Sequence, residues 1–186
     1  MSSASNSHLD LAPSPWVVRF APLIAAGARV LDVAAGHGRH AQFLAARGAR
    51  VVAVDRDAAA LSTLAGSGVE IRVADLEHRD WPFAGERFDA VVVVHYLHRA
   101  LFAHLLAVLA PDGVLLYETF ATGNAAFGKP SNPAFLLDQG ELLEIVRARL
   151  TVVAFEQGRI DGARPAVIQR LAAVGHARAW PPPLPP

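Results

Sequence analysis

Five apolar runs, each closed by a polar or glycine-rich break, constrain the fold of this chain more than any other feature. They are VLDVA (30–34), VVAVD (51–55), VEIRVAD (69–75), FDAVVVV (88–94) and GVLLYET (113–119). The runs are continuous and rich in β-branched residues, without the polar alternation of a strand that has one wet face. That pattern reads as buried strands of a parallel sheet with helices covering both sides.

The segments between the runs carry helical signals. Residues 39–48 repeat apolar positions at Ala41, Leu44 and Ala45, and Asp57 is placed to N-cap a helix that stops near Gly66. Leu101, Leu105, Val108 and Leu109 form a stripe ending before Pro111, and Leu142, Leu143, Val146 and Leu150 form another. Residues 16–26 predict a helix leading into the first strand. After Leu150, LTVVAFEQ and PAVIQRLAAV are strand-like with GRIDGAR between them, which predicts a hairpin. The expected fold is α/β: a doubly wound, Rossmann-like, seven-stranded and mostly parallel sheet with one antiparallel strand from the C-terminal hairpin. In such sheets ligands sit beyond the carboxyl ends of the strands.

A length of 186 residues suits one domain, and 53% hydrophobic against 18% charged residues implies a dense interior. We expect the domain over residues 13–176, a disordered N-terminal segment at 1–12 and a Pro-rich tail at 177–186. Seventeen basic and seventeen acidic residues balance to zero, which argues against a broad nucleic-acid surface. With no cysteine, disulfides, thiolate metal sites and cysteine nucleophiles are impossible. The first ten residues lack the apolar core of a signal peptide, and no apolar run is long enough to span a bilayer. A cytoplasmic protein with no membrane partner is the expectation.

The strand ends carry the chemistry. In order they present Asp32 with Gly36 and Gly38, then Asp55, Asp75, His95 and residues 117–119. Residues 36–41, GHGRHA, fit the dinucleotide pattern G-x-G-x-x-A, with Asp55 near the spacing of a ribose ligand. Asp32 shifts the balance: at the mouth of the turn it would repel a pyrophosphate and attract an ammonium or a sulfonium. Asp55 can accept from both ribose hydroxyls, and Asp75 from the exocyclic amine of an adenine. Three carboxylates around one ligand suit S-adenosylmethionine better than a nicotinamide dinucleotide. Each aspartate could also merely cap a turn.

On these residues the chain resembles the class I S-adenosylmethionine-dependent methyltransferases. VLDVAAGHGRHAQFLAARGARVVAVDRD is similar to the first two motifs of that family. VADLEHRDWPF is similar to its adenine-binding segment, and residues 88–120 to its fourth strand, following helix and fifth strand. Among subgroups it looks most like the small bacterial tellurite-resistance-like methyltransferases. Ala34 departs from the family pattern, standing where the first glycine of the motif is usual, and is tolerable there if its φ stays negative. The resemblance implies S-adenosylmethionine as cofactor and S-adenosylhomocysteine as product. It implies Asp32, Ala34, Gly36 and Gly38 at the methionine end, Asp55 at the ribose, Arg56, Asp75 and Leu76 at the adenine, and His95 flanking the cofactor.

Methyl transfer from a sulfonium is an in-line displacement, so positioning supplies much of the rate and a base is needed only when the acceptor must lose a proton. Two stretches are placed to build the acceptor pocket, with a small molecule as the expected acceptor. HYLHR (95–99) offers His95 and Tyr96 as catalytic candidates and Tyr96, His98 and Arg99 as acceptor contacts. The long connection from Tyr117 to Leu137 reads as a lid or substrate loop, or as a surface Ω-loop, with Tyr117, Asn124, Lys129 and Asn132 as contacts. Glu118 is the catalytic carboxylate candidate, for a cationic acceptor or for taking a proton. His37, His40, His95 and His98 share a face but lack the spacing of a zinc motif, so no metal is expected. The alternatives are an RNA or protein methyltransferase using a basic patch around Arg39, Arg99 and Lys129, a non-catalytic cofactor-binding module, and a nicotinamide-dependent enzyme.

Overall fold

The computed structural model of the chain describes residues 12–184. The expected N-terminal segment therefore lies outside the described residues except for Ala12, as do the final two residues of the tail. Seven strands form one sheet in the order β3-β2-β1-β4-β5-β7-β6: β1 (Arg29–Val33), β2 (Arg50–Asp55), β3 (Glu70–Val73), β4 (Phe88–Val94), β5 (Leu109–Phe120), β6 (Leu150–Ile160) and β7 (Ala166–Gly175). β1 to β5 pair in parallel, while β7 runs antiparallel to both β5 and β6. This is the expected doubly wound sheet with one reversed strand. The strand order reverses between β1 and β4, the topological switch point at which open α/β sheets bind ligands.

Side chains alternate along each strand and so build two cores. Leu31, Val33, Val52, Val54, Val91, Val93, Leu115 and Tyr117 fill one, against α4 (Phe102–Val108) and α5 (Glu141–Val146). Val30, Val51, Ala53, Val92, Val114 and Leu116 fill the other, against α1 (Pro15–Phe20), α2 (Arg39–Ala46) and α3 (Ala58–Leu61). Each fully buried Val or Leu contributes about 1.5–3 kcal/mol, which is why continuous apolar runs persist through the central strands.

Several elements differ from expectation, each for a local reason. β3 was expected to be buried, yet Ile71 and Val73 are exposed. It is an edge strand, and residues 74–87 form turns and irregular chain where a covering helix would lie. The helix predicted over 16–26 stops at Phe20 and continues as a 3-10 turn, Ala21–Leu23; Pro22 has no N–H to carry the α-helical ladder on. Leu150 opens β6 instead of ending the helical stripe. The hairpin strands extend into GRIDGAR, pairing Gly158 with Ile168 and Ile160 with Ala166, so the turn is confined to 161–165. Asp57 caps α3 as expected, its Oδ1 accepting from Ala59 and Ala60 at 2.9 and 3.0 Å.

Candidate active site

Two strands adjacent in the sheet end in the same unusual way. Ala34, just past β1, and His95, just past β4, have φ of +55° and +57°, the only non-glycine residues in the left-handed region among the described residues. The condition of a negative φ at Ala34 is thus not met, and the alanine sits in the left-handed region. The chain must turn sharply there for Ala35 to donate to the Val54 carbonyl at 3.0 Å, and Gly38 to the Ala35 carbonyl at 2.9 Å. Strained corners of this kind are retained where the surrounding structure fixes them and cluster at functional sites. These two flank the switch point.

A cleft of about 380 Å³ opens beside the first corner, lined by Ala34, Asp55, Arg56, Asp75, Leu76 and Tyr96 among others. Asp55 ends β2; its Oδ2 accepts from Gly36 N at 2.8 Å and its Oδ1 from Asp57 N at 2.9 Å. It therefore braces the glycine turn as well as lining the cleft. Asp75 follows β3. Its Oδ1 accepts from Glu77 N at 2.9 Å, and those backbone donors, with His78, hold its carboxyl below the usual carboxylate range. Leu76 is buried beneath the cleft. Tyr96 lies on this side, not in an acceptor pocket as expected. Burial, and then the charge of Glu77, push its phenol well above the ordinary range.

Asp32 is not at the mouth of the turn but beneath it, 1% exposed. Burial pushes its carboxyl up to about 7, against the lowering effects of the Ala41 N–H and of Arg39, and its Oδ2 has no hydrogen-bond partner. The like-charge argument against a pyrophosphate needs an ionised Asp32, so it is weaker than expected. What remains is a buried oxygen lacking a donor, which an ammonium group would satisfy.

A second cleft, of about 490 Å³, lies on the other side of His95 and is lined by Arg39, His95, Glu118, Phe120, Lys129 and Arg164 among others. The His95 ring stacks on Phe120 with centroids 4.8 Å apart. Its Nδ1 faces Arg39 Nη2 at 3.4 Å and its Nε2 faces Glu118 Oε1 at 3.9 Å. A guanidinium has no acceptor, so this arrangement favours the neutral tautomer with its hydrogen on Nε2. Glu118 is buried, which raises its pKa, while Ser14 Oγ at 3.0 Å and Arg170 Nη1 at 3.5 Å oppose the rise. Its Oε2 has no hydrogen-bond partner, and the Arg170 guanidinium beside it also binds Glu156, through Nε at 2.9 Å.

The remaining expected acceptor contacts have other work. Tyr117 is buried in the core on the opposite face of β5 and donates to the Tyr96 carbonyl at 2.8 Å, because period-2 alternation turns it away from Glu118. Arg99 spends its donors on Glu141, at 2.8 Å to each oxygen, and on the carbonyls of Ala134 and Leu136. The buried Asn124 donates to Pro130 O at 3.0 Å and accepts from Val167 N at 3.0 Å, pinning the loop to β7 even where it borders the second cleft. Asn132 caps a 3-10 turn, accepting from Ala134 N at 3.0 Å. His98 lines neither cleft, and only Lys129 of the expected loop contacts presents a charge to the second. The basic patch of Arg39, Arg99 and Lys129 is likewise divided, since Arg99 lies outside that cleft.

Sequence reasoning passed over Ser14, Arg170, Phe120 and Phe135. Ser14 is a hub: its N–H donates to His40 Nε2 at 3.1 Å and its hydroxyl to Glu118. Burial pushes the His40 ring down to about 3, so it stays neutral as the acceptor of that bond. Nothing in one dimension marks a serine that meets a glutamate 104 residues away. Phe135, on the long loop, lines the first cleft. No three His, Asp or Glu side chains converge as a metal site among the described residues, and no helix there is long and apolar enough to cross a membrane.

Comparison with known proteins bears on the fold and on part of the sequence. Residues 30–113 match the sequence profile of a family described as methyltransferase domain. A demethylmenaquinone methyltransferase from Clavibacter sepedonicus is 36% identical over 106 residues, which cover 52% of this chain and 43% of that protein. The structure of TehB from Haemophilus influenzae superposes with a TM-score of 0.74 at 16% identity, over 88% of this chain and 62% of that one. A 1,6-didemethyltoxoflavin-N1-methyltransferase from Burkholderia thailandensis, solved with its substrate and S-adenosylhomocysteine, gives 0.60 at 25% identity over 86% and 76%. The fold is that of the class I S-adenosylmethionine-dependent methyltransferases. Within it, residues 30–113 carry the sequence likeness to a methyltransferase domain. The chain spans less than half the length of the curated relatives it matches.

Proposed function

We propose that this chain is an enzyme that transfers the methyl group of S-adenosylmethionine to a small-molecule acceptor, releasing S-adenosylhomocysteine. The observation that carries this reading is the pair of clefts on either side of the β1 and β4 corners, one lined by carboxylates and the other by His95 and Glu118. The residues fit the cofactor: Asp55 offers its carboxylate to a ribose, Arg56, Asp75 and Leu76 line a place for an adenine, and the partnerless Asp32 oxygen suits an ammonium. Gly36 lets the turn approach that ligand without a side chain, while Gly38 leaves room for Leu64. The cofactor supplies an electrophilic methyl group on a sulfonium.

The chain's own task is to hold the acceptor in line and keep water out. His95 takes the proton of an acceptor that carries one, through Nδ1, once that acceptor displaces the Arg39 contact from the nitrogen. Glu118 orients the ring and balances the imidazolium. A cleft of this volume suits a small molecule, and the Burkholderia structure holds a small-molecule substrate.

Calorimetric titration with S-adenosylhomocysteine and with NADH tests the cofactor. We expect saturable binding of the first alone, weakened at least tenfold by Asp75→Ala and by Asp55→Ala, with circular dichroism confirming that each variant folds. Asp55 braces the glycine turn and Asp75 the backbone of Glu77 and His78, so the comparison is read only between variants that fold like the wild type. Preference for NADH, or no binding of S-adenosylhomocysteine to the wild-type chain, overturns the reading.

A further inference from the structure

The methyltransferase profile ends at residue 113, yet one wall of the carboxylate-lined cleft comes from beyond it. Phe135, on the connection of residues 121–140, lines that cleft with Leu76 and Tyr96 and is 48% exposed. Phe127 and Lys129, earlier on the same connection, line the second cleft. The connection is a strut with two limbs. Its base is closed by Thr122 N–H, donating to the Leu137 carbonyl at 2.9 Å, and by Leu137 N–H, donating to that of Phe120 at 3.0 Å. The limb with Phe127 and Lys129 is pinned to β7 by Asn124, which accepts from Val167 N and donates to Pro130 O, each at 3.0 Å. Arg99 pins the Phe135 limb through the carbonyls on either side, Ala134 at 3.0 Å and Leu136 at 2.9 Å. Residues 130–133 join the limbs, where Pro130 and Pro133 fix two φ angles and restrict Lys129 and Asn132 before them. A displacement of one limb is therefore passed to the other instead of being absorbed between them.

Resting on the reading of the first cleft as the cofactor site, we propose that Phe135 couples the two clefts. Its ring packs against the adenosyl part of the cofactor, and the strut carries that contact to Phe127 and Lys129, fixing the wall of the second cleft. A half-exposed aromatic ring gains further apolar burial only when a ligand covers it. That gain favours one position of the Phe135 limb over the others open to it when the cleft is empty, and the second limb follows. By linkage the effect is reciprocal, so an acceptor that holds the second wall also tightens the first cleft. The acceptor pocket thus takes its final shape once the methyl donor is in place.

The test uses the full chain with S-adenosylhomocysteine as probe, read by calorimetry and by hydrogen exchange. The reporters are the amides of Asn124, Ala126, Phe127 and Gly128, each hydrogen-bonded within its limb and none in the lining of the first cleft. In the wild type we expect saturating ligand to slow them at least about threefold beyond the slowing of the β4 amides, which register global stabilisation. Phe135→Ala weakens the ligand about three- to tenfold and, once saturated, loses the extra slowing. Phe135→Tyr, which keeps the ring, retains it. The position is half-exposed, so thermal melts of both variants match the wild type and separate lost coupling from lost fold. Equal extra slowing in Phe135→Ala and the wild type overturns the coupling, as does no extra slowing in the saturated wild type, and the cofactor reading survives either result. If S-adenosylhomocysteine does not bind the wild type, the cofactor reading falls and the coupling falls with it.

Discussion

At Ala34 the backbone takes a φ of +55°, where a Cβ crowds the following carbonyl oxygen at a cost of about 1–2 kcal/mol. Replacing Ala34 by Gly removes that clash while giving back some unfolded-state entropy. We expect a net gain of about 0.5–1 kcal/mol in urea denaturation; a loss would show that the methyl group makes a compensating contact. The two motif glycines differ in the same terms. A Cβ on Gly36 meets nothing within 4 Å, whereas one on Gly38 falls 2.4 Å from Leu64, a side chain only 1% exposed. Gly38→Ala should therefore cost about 2–3 kcal/mol and Gly36→Ala about 1, the first adding overpacking to strain. Equal losses in thermal melts would refute the distinction. The glycines and aspartates of this turn were legible because residue type and spacing record them. The sign of φ at Ala34 and the burial of Asp32 were not, because both depend on how β1, β2 and α2 come together.

The element that joins the two clefts is the connection of residues 121–140. Phe135 on it lines the first cleft, and Phe127 and Lys129 line the second. It is held by Arg99 from the far end of β4, through Glu141 at the start of α5 and the carbonyls of Ala134 and Leu136. Arg99→Ala removes a bidentate carboxylate pair and leaves two carbonyls without these donors. We expect it to cost about 1–2 kcal/mol and to raise hydrogen exchange across 121–140 before the rest of the chain. Unchanged exchange there would mean that Asn124 alone fixes the loop. The length of this connection marked it in the sequence as a candidate functional loop, whereas the backbone contacts made by Arg99, Asn124 and Asn132 were not legible there. Arg99, Asn124 and Asn132 look alike in one dimension whether they face a ligand or pin a backbone. The central strands were legible because burial on both faces leaves an unbroken apolar run. β3 carries a similar run yet sits at an edge, and its order in the sheet is not written in its own residues.

For the whole molecule, two buried groups set opposing responses to pH. Asp32 titrates near 7 in the fold and near 3.8 when unfolded. Its contribution is complete below 3.8 and is lost as pH rises to 7, because only the fold holds the proton in that window. His40 titrates near 3 in the fold against 6.5 unfolded, so its contribution is complete above 6.5 and is lost as pH falls. The two slopes, about 1.4 kcal/mol per pH unit each at most, cancel between roughly pH 4 and 6.5. Asp32→Asn should unmask the histidine, making the ligand-free chain more stable with rising pH over that window relative to wild type. His40→Gln should reverse the sign. Denaturation midpoints of the three proteins at pH 4.5, 5.5 and 6.5 check this; parallel curves would sink it.

The reversed strand has a consequence for how the molecule comes into being. β7 follows every other strand in sequence yet lies between β5 and β6, and among the described residues it is the only strand partner of β6. A chain emerging from the ribosome therefore carries β1 to β5 and the loop through Phe135, and with them every residue lining the first cleft, before β7 exists. The hairpin turn that closes the second cleft comes with β7. The newborn protein acquires its carboxylate-lined cleft first, and the place for a second reactant is completed only when β7 slides into the gap left open for it.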